Sequence, residues 1–193
     1  MTTGTKSVLF GYHQFLLHPL FVAAAWTKLY GFPFDPRLWL AFFVHDLGYW
    51  GKPKMDDVDG ETHPEFGAKI MRIFGQKWHD LVLYHSRFYS LKAGRKYSKL
   101  CVADKLAYMY YPVWFNVFLV TLSGEGKEYV QCGVRRGVPA DIRSTISDWR
   151  KESLAWLEQD RLGVEFDALS QNIKDTSRDI ETLQGIDTTF RDG

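Results

Sequence analysis

Residues 45–50 read HDLGYW, and the pair His45–Asp46 closes the apolar run LWLAFFV over residues 38–44. Both side chains are costly to bury unless something satisfies them. They either satisfy each other or share a cation. Four more residues of ligand type bear on the choice: His18, His63, His85 and Asp104. Any one of these histidines, taken alone, reads as an ordinary core or surface residue with a hydrogen-bond partner. Together they fall on successive predicted helices, as inward-facing metal ligands of helical bundles do. Imidazole and carboxylate donors in one set suit iron, manganese or zinc and not calcium, which takes oxygen ligands.

The elements that would carry these residues are helical. Leu16, Leu17, Leu20, Val22, Ala23, Trp26 and Leu29 recur at three- and four-residue steps, which predicts a mostly buried helix from about 13 to 30. Asp35-Pro36 is an N-cap followed by a first-turn proline, and the helix it opens should run from about 36 to 47. Residues 48–62 form a polar, acidic loop, expected as a solvated cover over the site and lacking the ligand order of a calcium-binding loop. A third helix begins at Thr62 or His63, and a fourth spans roughly 76 to 87. SLKAGRKYS (90–98) reads as a basic loop, and Ser98 caps a fifth helix through Asp104 to about Tyr111. Beyond Pro112 come an aromatic helix to about Leu122, a glycine-rich connection and a helix over 139–159. A surface helix is expected over 173–184. No β-alternating run, internal repeat or domain boundary stands out, so the expectation is an all-α single domain over 1–193, with a core of about 13–110 and a C-terminal helical extension of about 112–193.

Composition fits that frame. Of 193 residues 46% are hydrophobic, enough for a core, and the 14 Phe, 10 Tyr and 7 Trp supply large side chains for packing and pocket walls. A formal net charge of +1 gives no basis for an extended nucleic-acid or membrane surface. Cys101 and Cys132 fit no zinc spacing and no disulfide framework, which points to a reducing, cytoplasmic setting. The N-terminus lacks the pattern of a signal peptide. YMYYPVWFNVFLVTL, broken by Pro112 and Asn116, is shorter than the roughly 20 apolar residues a spanning helix needs.

His18 with PLFVA, then HDLGYWGK, HPEFGAKI, YHSR and VADKLAY, in the order His…His-Asp…His…His…Asp, resembles the HD-domain superfamily of metal-dependent phosphohydrolases. The resemblance covers roughly residues 13–110 and implies an HD-type helical bundle. It implies that His18, His45, Asp46 and Asp104 hold one divalent ion, with His63 and His85 the added ligands of members with two. Asp46 would then bridge both ions. Iron or manganese is the first expectation, with zinc, cobalt, nickel and magnesium as alternatives. His13 and His79 do not fall at family positions and are expected to be partly exposed and hydrogen-bonded. His13, about 140° round the helix from His18, can still reach the mouth of a pocket.

The activity implied is hydrolysis of a small phosphorylated substrate, a nucleotide or other phosphate ester, by metal-activated hydroxide that Asp46 orients or deprotonates. Arg87, two residues after His85, is the first candidate for gripping phosphoryl oxygens, since its planar fork matches them. Lys52 and then Lys54 follow. Lys105 is a weaker candidate because it points about 100° away from Asp104 on the helix. Tyr49, Trp50, Tyr84, Phe88 and Tyr89 surround the ligands as core and rim aromatics. Two rival readings share the scaffold. Inositol oxygenase and the phosphonate-cleaving oxygenases resemble the same ligand set and use a mixed-valent di-iron pair, and some HD domains sense a ligand without catalysis.

Overall fold

The computed structural model describes residues 1–55 and 57–161, with side chains through Gln159. Every element within them is helical. Contacts divide the chain into Met1–Glu158 and Gln159–Gly193. The surface helix expected over 173–184 lies outside the described residues.

Eleven α-helices follow in order: α1 (Thr3–Phe10), α2 (Leu17–Tyr30), α3 (Pro36–Val44), α4 (Val58–Glu61), α5 (Pro64–Met71), α6 (Gln76–Leu83), α7 (Arg87–Lys92), α8 (Lys99–Ala107), α9 (Val113–Ser123), α10 (Gly126–Arg135) and α11 (Ile142–Arg161). The local signals act as expected at three starts. The Asp35 carboxylate accepts from the Arg37 N–H, with Pro36 in the first turn, to open α3. Ser98 accepts from the Cys101 N–H to open α8. Pro64 sits at the first position of α5.

Four bounds differ from expectation. α2 starts at Leu17 and not near 13, and α8 stops at Ala107, before a 3₁₀ turn over Tyr108–Tyr110, and not near Tyr111. α3 stops at Val44 and not near 47, because the backbone tightens into a 3₁₀ turn over Leu47–Tyr49. α6 stops at Leu83 and not near 87, because Ser86 is extended and starts the short α7, which absorbs the first residues of the expected basic loop. α1 and α10 were not expected. Both carry glycines that mask their periodicity, and both are held by tertiary packing.

α2, α3, α5, α6 and α8 share one apolar core, with Val22, Ala25, Phe42, Met71, Val82 and Leu100 fully buried. A second cluster, richer in aromatics, joins Tyr12, Tyr108, Tyr111, Leu119, Tyr129 and Ile146, and so connects the end of α8 to α9, α10 and α11. Arg150 on α11 ties them further. Its guanidinium donates to the carbonyls of Tyr111 at 2.6 Å and Met109 at 3.0 Å, groups that the end of a helix leaves without partners. Among the described residues no single helix is long and apolar enough to cross a membrane. The tract around Pro112 is split between the α8 end and α9, which meet at 105°. Neither Cys101 nor Cys132 forms a disulfide.

Candidate metal centre

The six ligand-type residues come together, all buried. Asp104 is presented from within α8 and His18 from the first turn of α2. The others occupy helix ends: His45 just after α3, His63 just before α5, and His85 in the turn after α6. Gly48 lets these ends meet, since a Cβ there would lie 1.9 Å from the His63 carbonyl oxygen.

Asp46 is the centre of the arrangement. Its Oδ2 lies 3.3 Å from His18 Nε2 and 3.2 Å from His45 Nε2. Its Oδ1 lies 3.4 Å from His85 Nε2 and 3.6 Å from His63 Nε2. Asp104 Oδ1 completes the first side at 3.1 Å from His18 Nε2. The donors therefore form two groups that share Asp46: His18, His45, Asp46 and Asp104, and Asp46, His63 and His85.

These groups fit metal ions better than they fit one another. Two donors bound at about 2.1 Å and roughly 90–110° apart are themselves about 3.0–3.4 Å apart, the spacing seen here. As hydrogen bonds they fail: His18 Nε2, His45 Nε2 and Asp46 Oδ2 are buried with no properly directed partner. His45, His63 and His85 each place Nδ1 2.6–2.8 Å from the carbonyl oxygen three residues earlier, on Phe42, Gly60 and Val82. A carbonyl only accepts, so each Nδ1 carries a proton and Nε2 is the ring nitrogen turned inward. His63 Nε2 and His85 Nε2 then face each other at 3.2 Å, a spacing that suits two donors on one cation. Such carbonyl partners are the usual outer support of metal-binding imidazoles. Tyr49, stacked on His63 at 4.0 Å and 10°, holds that ring in place.

The local field points the same way. Burial pushes the Asp46 and Asp104 carboxyls up. The charge of His45 beside Asp46, that of Lys105 beside Asp104, and the close approach of the other imidazoles outweigh burial and hold both well below the usual carboxylate range. Burial pushes His45 down, yet Asp46 and Asp104 lift it to about 10. Burial and then His85 hold His63 well below the usual imidazole range. The cluster can hold metal ions.

The centre opens into a cavity of about 420 Å³, within the range of small-molecule sites. Arg87 lines it, with its guanidinium carbon 5.9 Å from the Trp156 ring centre. No carboxylate among the described residues lies within ion-pair distance of Arg87. Lys105 also lines it, against the expected direction, because its long chain curls back to place Nζ 2.9 Å from Asp104 Oδ2. Lys52 is not brought to the wall; its ammonium is held by Thr62 Oγ1 at 2.5 Å. Lys54 does not line the cavity either.

Of the aromatics, Tyr49 and Phe88 reach the cavity, whereas Trp50, Tyr84 and Tyr89 do not. The acidic loop is no simple solvated cover, for it contributes Met55 and Glu61 to the wall. His79 bonds its neighbour Asp80 and stays outside both groups. His13 hydrogen-bonds Ser7 Oγ at 2.9 Å, is 15% exposed, and lines the cavity.

Sequence reading missed Tyr12, Tyr108, Tyr129, Trp149 and Trp156 on the wall, and the buried Glu125 behind it. The two tryptophans had a signal, the helical spacing of Trp149 and Trp156; the others had none. The chain matches no protein-family model, no curated protein sequence and no solved structure.

Proposed function

We propose that the protein is a phosphohydrolase of the HD type, dependent on two divalent metal ions, most suitably iron or manganese, and acting on a small phosphate ester. One observation carries the reading: a single buried carboxylate, Asp46, faces two groups of ligand atoms with one oxygen each, at the base of a cavity with Arg87 and Lys105 on its wall.

His18, His45, Asp46 and Asp104 would hold one ion, and Asp46, His63 and His85 the other. Ions bound there supply Lewis acidity, a nucleophile from water at neutral pH, and neutralisation of charge on phosphoryl oxygens. The chain's own groups do the rest. Asp46 fixes the spacing of the two groups and orients the attacking water. Arg87, with no carboxylate partner among the described residues, grips phosphoryl oxygens through its fork of N–H donors. Lys105 adds positive charge while staying tethered to Asp104. The carbonyl bonds on His45, His63 and His85 keep each Nε2 directed inward through the cycle.

The test is metal analysis of the purified full chain, followed by a screen of phosphate mono- and diesters with Mn²⁺, Fe²⁺ and Co²⁺. Hydrolysis by the wild type and none by Asp46→Ala is the expected result. Turnover that survives Asp46→Ala would overturn the reading. O₂ consumption by iron-loaded protein, with no ester hydrolysed, would replace it with the oxygenase class.

A further inference from the structure

The turn between α1 and α2 carries no ligand, yet it is anchored as firmly as the residues that do. Its anchor is Glu125, fully buried and 113 positions away from Tyr12. Ser123 Oγ donates to this carboxylate at 2.6 Å, the Tyr129 hydroxyl at 2.7 Å and the Tyr12 backbone N–H at 3.3 Å. His13 Nδ1 stands 3.5 Å off. Burial pushes the Glu125 carboxyl up, but His13, Ser123 and Tyr129 outweigh it and keep it ionised. Gly11 makes the approach possible, because a Cβ there would lie 2.5 Å from Glu125 Oε1.

The consequence is the position of Tyr12. Its ring is 6% exposed, lies 5.2 Å from the ring of His18 and 5.1 Å from those of Tyr108 and Tyr111, and forms part of the cavity wall. An ordinary phenol is neutral at neutral pH, so the Tyr12 hydroxyl is available as a hydrogen-bond donor. Its hydroxyl forms no hydrogen bond among the described residues. The Tyr108 and Tyr111 hydroxyls next to it are buried without partners. A buried donor with nothing to donate to costs stability, and a wall that keeps such donors beside a reaction centre is suited to an oxygen-rich ligand.

We infer that Tyr12 is a substrate-contacting residue, its hydroxyl donating to a non-bridging phosphoryl oxygen of the ester at the metal centre, and that Glu125 is the positioning residue that holds it there. The inference rests on the phosphohydrolase reading above and adds a contact outside the ligand set.

Inorganic phosphate binding to the Mn²⁺-loaded full chain, followed by calorimetry, tests it. Tyr12→Phe keeps the ring and removes the hydroxyl. It should bind phosphate about tenfold more weakly, with unchanged metal content and unchanged Tm when phosphate is absent. Tyr111→Phe, one ring further from the cavity, should bind phosphate as the wild type does. Glu125→Gln should weaken phosphate binding, and the Tyr12→Phe/Glu125→Gln double variant should bind no more weakly than Tyr12→Phe alone. Wild-type affinity in Tyr12→Phe would overturn the inference and leave the phosphohydrolase reading standing. Loss of metal from Tyr12→Phe would also overturn it, by making the hydroxyl a support of the ligands. A metal-loaded wild type that binds no phosphate would sink both.

Discussion

The two ligand groups around Asp46 are built differently. The first sets two carboxylates, Asp46 and Asp104, against His18 and His45, and takes His18 and Asp104 from within α2 and α8. The second has one shared carboxylate with His63 and His85, both placed at helix ends. More negative charge and more regular backbone should make the first group the tighter one. Its His45 also carries a proton that a metal must displace, whereas His63 is already neutral. A single side chain thus joins a group expected to bind a metal more tightly, with a pH dependence set by His45, to one expected to bind more weakly.

The largest expected effect comes from cutting the join. Asp46→Asn removes the shared charge, so metal content measured by plasma spectrometry should fall close to zero. The fall should exceed the roughly 10–100-fold that loss of an outer-shell partner costs. Next in size is a difference between halves. His85→Ala should lower the metal content by about half and leave the first group filled, while Asp104→Ala should strip the tighter ion. Complete loss in His85→Ala would break the asymmetry.

A smaller effect concerns pH. Below about 10 His45 holds a proton in the metal-free protein, and that proton must leave on binding, so affinity falls as pH falls. Chelator competition between pH 6.5 and 8.5 should show affinity at the first group rising about tenfold per pH unit, with the second group nearly flat. Equal slopes would mean that the halves do not differ as described. The smallest effect lies just outside the first half. Tyr111→Phe deletes a buried hydroxyl that has no partner, so urea unfolding should show no loss of stability, and a gain of up to about 1 kcal/mol.

What could be read from the chain follows the same division between local and distant causes. His18, His45, Asp46 and Asp104 lie on or beside helices that local pattern marks, but their grouping was implied by the HD-domain resemblance and not by spacing; the structure brings them together. His85 was recognised as a ligand but placed inside a helix, because nothing before Ser86 marks the turn. Lys52 and Lys105 were misjudged for one reason: the reach and the partner of a long flexible chain are tertiary facts, and Thr62 and Asp104 decided them. Glu125 was invisible because its role depends on Tyr12 and His13 at the far end of the chain. Its own surroundings, SGEGKE, read as a connection and became the start of α10.

The bonds from His45, His63 and His85 to the carbonyls of Phe42, Gly60 and Val82 span three residues each. Each ring is therefore oriented by its own stretch of backbone, without waiting for the rest of the cavity to assemble. Ordering a free side chain normally slows and weakens capture of a ligand, and here much of that ordering is complete once the helix ends have formed. Metal uptake should accordingly be limited by arrival of the ion and departure of its water, not by rearrangement of the protein.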